Sequence, residues 1–433
     1  MKKNSMVMIF VLLLTFALLS NFGALFFEIN SSSFNSRESY QIKSSNGSEN
    51  LLWNYTCSDE VRSVAISGDG NLITASTHSS DSGIYLFNKT ASTSKVPLWR
   101  YETTSSTYGA DISVDGKYIA AVSDNQHIYA FNNSITTPKL PIWDYSPTGN
   151  FMNDVAISAD GNYIMAARYD GTVILLNNSI ITPKTDMWTY TTGAIVWTVD
   201  ISGDGNYIVA GSNDDYVYFF NKNSSTPLWS YSVGDYVNSV AISTDGNYIV
   251  AGTENSKVFL FHRSSSTPLW NYTANGSIYS VATNFNGDYI VAGGQDSNVY
   301  LFGKLSSTPL WNFTAGGQIG ENNYPQTIAI SDNGNYIAAG TLDFNIYVFR
   351  NTQSTPLFNF TTGGEINCLA ISSDGAYIAA ACRDFNIYLL YNELPAPPTK
   401  PAIPFGNIFV FFVIISIVCL IIIKRKNIYI QLS

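Results

Sequence analysis

One phrase recurs eight times in this chain: an aromatic anchor, a Ser-x-Asp-Gly-Asn turn, a Tyr-Ile-Val-Ala run and a Tyr-x-Phe-Asn run. The anchors are Trp53, Trp99, Trp143, Trp188, Trp229, Trp270, Trp311 and Phe358, spaced 41 to 47 residues apart. A period just above 40 with several strand-like runs in each unit points to propeller blades. In the unit from Val237 to Trp270, VNSVAIS, YIVAGT, VFLF and the following LWNY are short, rich in Val, Ile, Tyr and Phe, and bounded by Gly, Asn, Asp, Ser or Pro. Runs of that kind are strands, four per unit. The first two are joined by Asp-Gly at Asp69, Asp115, Asp160, Asp204, Asp245 and Asp374, and by Asn-Gly at Asn286 and Asn333. Glycine supplies positive φ and the short Asx side chain caps a tight reversal, so these are hairpins.

The repeat region opens with a lone LLWNY at residues 51–55 and ends with a lone third strand at residues 386–391. Seven units are contiguous and the eighth is split between the two ends. If the strand of Trp53 completes the last blade, the result is an all-β, eight-bladed propeller of four-stranded antiparallel blades, closed by its N-terminal strand and free of an open edge. Along LWNY, Trp and Tyr should face the neighbouring blade and Asn should point outward.

The x-Asp-Gly hairpin, and an Asp after the second strand at Asp170, Asp214, Asp296, Asp343 and Asp384, give residues 51–391 a resemblance to the WD40-repeat family. The family's Trp-Asp at the end of the third strand is replaced by Phe87-Asn88, Phe131-Asn132, Phe220-Asn221 and Phe349-Arg350. Its Gly-His is missing, because the only histidines are His78, His127 and His262. The buried Asp-His-Ser-Trp network of that family therefore does not transfer. The chain is also similar in shape to the eight-bladed propellers of quinone-binding dehydrogenases, but their Ala-x-Asp-x-x-x-Gly-x-x-x-Trp signature is not present.

The two ends suggest a membrane. Residues 1–27 read as a secretory signal or an uncleaved anchor, with an apolar run from Met6 to Leu19 behind Lys2-Lys3. Residues 28–50, rich in Ser and Asn, read as a linker. Residues 392–404 form a proline-rich stalk, and residues 405–423 are long enough for a transmembrane helix, about 28 Å at the helical rise. Lys424-Arg425-Lys426 would hold the tail, residues 424–433, in the cytoplasm and leave the propeller outside.

A net charge of −10 argues against nucleic acid as a partner. In an exported protein the Asn-x-Ser/Thr sequons at Asn54, Asn88, Asn132, Asn177, Asn223, Asn271, Asn275, Asn312 and Asn359, with Asn30 and Asn46 in the linker, are candidate glycan sites. Cys368 and Cys382 lie on opposite arms of the Asp374-Gly375 hairpin. They could bridge if the register puts them on one face, and are buried free thiols otherwise. Cys57 has no evident partner, and Cys419 falls in the apolar C-terminal segment. No metal-spaced histidine pair, Gly-x-Ser-x-Gly, phosphate loop or Cys-x-x-Cys occurs. One Asp per hairpin is turn chemistry, since a calcium site needs six to eight oxygens. No catalytic residue, metal or cofactor is therefore assigned.

A recognition surface should lie where the repeat departs from itself. The stretch from Trp311 to Ser331 is 20 residues against 13 to 15 in the other units, with its excess in Gly316 to Pro325, and Thr77 to Gly83 lengthens another loop by two. Both loop types open on one face in WD40-like rings. The candidate binding residues around that rim are Arg168, Tyr169, Asp170, Trp197, Asp214, Asp215, Glu254, Asp296, Glu321, Tyr324, Arg383 and Asp384. The chain thus reads as a membrane-anchored, extracytoplasmic module for a protein or glycan partner. The alternatives are a quinone-type propeller enzyme, for which clustered carboxylates and a stacking Trp in the channel would speak, and an assembly factor for exported proteins.

Overall fold

Seven of the eight blades turn from first to second strand on the same local device, and in the sixth Asn284 takes the place of the serine. Ser67 Oγ donates to Asp69 Oδ1 at 2.7 Å, Asp69 Oδ1 accepts the Asn71 amide, and Leu72 N donates back to Ser67 Oγ at 3.0 Å. The Gly between them, Gly70, sits at φ 69°, a conformation that costs glycine nothing. The same hydroxyl-to-Asx bond recurs at Ser113, Ser158, Ser202, Ser243, Ser331 and Ser372. These turns set the meander that follows.

A computed structural model describes residues 48–134, 139–179, 184–321 and 326–393. They form eight four-stranded antiparallel sheets, and seven of these are consecutive meanders. The eighth holds the strands Ile366–Ile371, Tyr377–Cys382 and Asn386–Tyr391, with Leu51–Thr56 as its outer strand. Trp53 pairs with Leu389 and Thr56 with Asn386, so the ring closes as the split repeat requires. The signal segment, the stalk from residue 394 and the apolar segment 405–423 lie outside the described residues. Among the described residues no helix is long and apolar enough to cross a membrane.

The core sits between blades. Trp53, Ile387 and Leu389 of the closing blade pack with Val61, Tyr85 and Phe87 of the first. Six of the seven anchor Trp reach the third-strand Phe of the next blade: Trp53 to Phe87, Trp99 to Phe131, Trp188 to Phe220, Trp229 to Phe261 and Trp270 to Phe302 stand 5.3 Å apart, centroid to centroid, and Trp311 to Phe349 5.4 Å, while Trp143 packs with Leu176 instead. This explains why Phe occupies the end of the third strand. In the outer strands Trp270 and Tyr272 are half-buried against the core while Asn271 is exposed, as the alternation predicts.

The bridge between Cys368 and Cys382 does not form. Ile366 pairs with Cys382, and a register shift between Ile366 and Cys368 puts Cys368 opposite Ala381. Cys368 then faces the first blade and Cys382 the seventh, in separate cores. Cys57, Cys368 and Cys382 are free, buried thiols, and burial pushes the Cys368 thiol up to about 12. None of the three should react with an aqueous thiol reagent in the native protein, and all should react after unfolding. A mass shift on native Cys368 would contradict this placement.

The long stretch after Trp311 is partly structural. Ile319 is fully buried in the core between the sixth and seventh blades, beside Val291 and Ile328. Its amide donates to Gly294 O at 3.0 Å. Glu321 is bonded by Arg383, and Tyr324 lies outside the described residues.

Candidate recognition site

A meander gives the ring two unlike faces. The hairpins between first and second strands and the connections from third to outer strands share one, called here the turn face. Amides at the third-strand ends confirm this, with Lys222 N bonded to Asn206 O and Arg263 N to Asn247 O. The loops between second and third strands, and the crossings to the next blade, form the opposite loop face.

In seven blades the inner strand carries a register shift after its first residue, for example between Val61 and Ser63, Thr107 and Gly109, Met152 and Asp154, and Val196 and Thr198. The residue inside the bulge has no cross-strand partner, and bulges re-aim such side chains. In the first four blades these residues are Arg62, Tyr108, Asn153 and Trp197. With Asp124, Phe151 and Tyr169 they line a cavity of about 250 Å³ on the loop face. Trp197 and Tyr169 meet edge to face at 5.9 Å, and the Arg62 guanidinium stands over the Tyr108 ring at 5.3 Å. Phe151 and Tyr169 are exposed. Burial raises the Asp124 carboxyl, opposed by the Ser106 hydroxyl and by the charges of His78 and Arg62. Asn153 Nδ2 donates to Val196 O at 2.8 Å, which fixes the amide.

Of the rim candidates, the structure brings Tyr169 and Trp197 together and shows other roles for most of the rest. Asp214, Asp296 and Asp384 each accept a tyrosine hydroxyl from four residues on, Tyr218 at 2.7 Å and Tyr300 and Tyr388 at 2.6 Å, and each also caps a backbone amide. Arg168 is buried and holds Asp170 and Thr148 O. Arg383 ties Glu60, Glu321 and Glu365 together. Glu254 accepts the Asn238 amide at 2.8 Å. Asp215 is the left-handed residue of its turn, at φ 73°.

The channel holds a second polar group that the sequence reading passed over. Its cavity, about 350 Å³, is lined by Ala, Val and Ile together with Asp111, Asp200 and Gln326. Asp111, Asp154 and Asp200 each reach the next blade, accepting the amides of Ile157 at 2.9 Å, Val199 at 3.0 Å and Ile242 at 2.8 Å. Desolvation by the surrounding strands pushes these carboxyls up to about 6, about 8 and about 7, against the pull of the amides; Asp154 is raised further by the other two. Gln326 Nε2 reaches Asp154 Oδ1 at 3.5 Å from the seventh blade, on the far side of the ring. Carboxylates are therefore clustered in the channel, but Trp197 lines the loop-face cavity and not the channel cavity. Among the described residues no cluster of His, Cys, Asp or Glu is arranged to hold a metal ion.

The sequons fall on three zones. Asn54, Asn271, Asn312 and Asn359 lie on outer strands, Asn88, Asn132, Asn177 and Asn223 at the turn face, and Asn275 in a loop-face crossing.

Fold and site together define an eight-bladed β-propeller with an aromatic cavity on its loop face. A repeat family described as "WD domain, G-beta repeat" matches residues 49–88, 141–177 and 354–389. A family described as "Outer membrane protein assembly factor BamB" matches residues 185–359. The chain is a divergent WD40-like propeller. No curated protein matches its sequence. Among solved structures, that of Sqt1 from Chaetomium thermophilum is similar at TM-score 0.68 and 15% identity, over 79% of this chain and 98% of that one, a likeness of fold alone.

Proposed function

We propose that the protein is a membrane-anchored, extracytoplasmic propeller that binds a glycan in the aromatic cavity of its loop face and does no chemistry there. The observation that carries this reading is the cavity wall. Tyr108, Phe151, Tyr169 and Trp197 offer flat apolar faces for the C–H side of a sugar ring, and Arg62, Asp124 and Asn153 offer donors and acceptors for its hydroxyls. Charges of both signs in one small site favour a neutral polyol over an ion. The apolar segment at 405–423 and the basic residues after it supply the anchor and orientation.

The test is binding of the purified full-length protein to immobilised oligosaccharides. Replacing Trp197 and Tyr169 together with Ala should weaken binding by roughly 5- to 150-fold, since each stacked ring contributes roughly 0.5–1.5 kcal/mol. The thermal midpoint should stay in place, because neither side chain is in the blade cores. If no oligosaccharide binds, and a surface protein is captured by the wild type but not by the double variant, the cavity serves a protein partner instead.

The match of residues 185–359 to a family described as an outer membrane protein assembly factor favours one other reading, a propeller that assists other exported proteins. Co-purification with many exported proteins rather than one ligand would select it.

A further inference from the structure

We infer that the turn face of the ring lies against the lipid bilayer, so that the propeller rests flat on the membrane and presents the aromatic cavity away from it. This rests on the anchored reading above.

Three observations carry it. First, both ends of the described ring leave by the turn face. Leu51 pairs with Leu390, Asn50 Nδ2 donates to Tyr391 O at 2.9 Å, and Asn392 N is held by Ala376 O in the last hairpin at 2.8 Å. The described chain therefore enters and leaves the ring on one side of the disc, and the sequence continues from there toward the apolar segment 405–423. The proline-rich residues 394–404, between the ring and the apolar segment 405–423, are long enough to extend about 34 Å as polyproline. The tether alone would let the ring stand off, so its surface decides.

Second, that surface has an apolar rim. The residue before the outer-strand anchor is aliphatic in every blade and points outward in most: Leu98 is 46% exposed, Leu228 54%, Leu269 52% and Leu310 57%, joined by Leu140 and Leu305. Their places are fixed by backbone bonds, with the amides of Leu228, Leu269 and Leu310 each 2.7 Å from Phe219 O, Leu260 O and Leu301 O. A single exposed leucine is ordinary on a water-facing surface, but one at the same place in blade after blade forms a rim that contributes favourably when buried at a headgroup boundary.

Third, charge is unequal between the faces: on the turn face lysines and arginines stand among the hairpin carboxylates Asp69, Asp115, Asp160, Asp204, Asp245 and Asp374, with Asp288 pairing Lys304, whereas carboxylates dominate the loop face. The turn face carries Lys222, Arg263, Lys304 and Arg350, each over a tyrosine ring, at 4.4, 4.9, 5.2 and 5.7 Å. The loop face carries Glu60, Asp214, Asp215, Glu254, Glu321 and Asp384 among many carboxylates. An anionic lipid surface repels the carboxylate-rich loop face far more than the turn face, where the two signs offset each other. Lysine and arginine stems lying on aromatic rings suit the same boundary.

The test uses the full-length protein in nanodiscs of phosphatidylcholine with a minority of phosphatidylglycerol. A nitroxide is placed by Leu269→Cys on the turn face, or by Tyr236→Cys on the loop face. The ratio of oxygen to water-soluble nickel accessibility should be several-fold higher at 269 than at 236. Combining Leu228→Ser and Leu310→Ser should lower the ratio at 269 toward that at 236. Water-like values at both positions, in protein that stays in the membrane after an alkaline carbonate wash, overturn this inference alone. Loss of the protein in that wash overturns the anchored reading and this inference with it. Spin–spin broadening between labels at 269 would show a second copy on this face and also overturn it. Peptide mapping of the native protein is an independent check: glycans on Asn88, Asn132, Asn177 or Asn223 would hold the face off the bilayer and overturn the inference, whereas glycans on Asn54, Asn271, Asn312 or Asn359 agree with it.

Discussion

Deleting Leu51–Thr56 is expected to lower the thermal midpoint of the ring by on the order of 10 °C or more, with loss of a single sharp transition. The strand supplies the outer ladder of the last blade, residue 51 pairing with 390 and residue 56 with 386. It also supplies Trp53, fully buried against Phe87 of the first blade at 5.3 Å. Without it the third strand of that blade becomes an open edge, and the Val61 to Phe87 core loses its largest member. Trp53→Ala alone should cost about 3–5 kcal/mol, as truncation of a buried aromatic does. Differential scanning calorimetry of both variants decides the matter. An unchanged midpoint in the deletion would mean that closure contributes nothing to stability.

The second large effect is a fall in stability as pH rises from about 4 to about 8. Asp111, Asp154 and Asp200 have folded carboxyls raised to about 6, about 8 and about 7 by burial among the inner strands. A carboxyl raised on folding binds more protons folded than unfolded. Its contribution is complete below the ordinary carboxylate range and is lost as pH climbs through the folded value. Asp154 alone could account for on the order of 5 kcal/mol at most across that window. The turn carboxylates behave oppositely. Asp69, Asp160 and Asp204 are partly desolvated, yet hydrogen bonds from Ser67, Ser158 and Ser202 and from the Asn after each Gly hold them below their ordinary value. Their contribution is present at higher pH and is lost on acidification below about 4. The midpoint should therefore peak at mildly acidic pH. Asp154→Asn should flatten the alkaline limb, lying below the wild type at pH 5 and level with it or above at pH 8. A wild-type midpoint constant from pH 5 to 8 would refute the assignment.

The architecture was legible because it is written in repetition. Eight anchors, eight Asx-Gly turns and a lone strand at each end leave one way to close a ring, and Leu51–Thr56 pairs where that logic puts it. The cavity was legible only in part. Tyr169 and Trp197 stood out as aromatic residues at strand ends. Arg62, Tyr108 and Asn153 did not, because a bulge of one residue leaves no mark on an alternating pattern. It becomes visible only when the repeats are stacked and the second inner-strand position is seen to vary from Arg to Tyr to Asn to Trp. The rim carboxylates were harder still. An Asp that caps a turn and accepts a tyrosine hydroxyl, as Asp214 does from Tyr218, has the same sequence context as an Asp left free for a ligand. The cysteines turned on register, which the hairpin alone does not specify. Ile319 shows the same limit for length: six extra residues looked like a loop, and one of them fills a core.

The bulge at the second inner-strand position carries a consequence for change over time. Its side chain answers to no cross-strand neighbour, while the residues on either side are held by the ladder. Where that side chain is part-exposed, as at Arg62, Tyr108 and Trp197, substitution costs the ring little, whereas Asn153, Asn238 and Asn367 donate to Val196 O, Ile278 O and Val61 O of the next blade and are held there. A lineage of such rings could exchange one ligand for another while its blades, turns and closure stayed constant, and a combinatorial library confined to Arg62, Tyr108 and Trp197 would explore that repertoire directly.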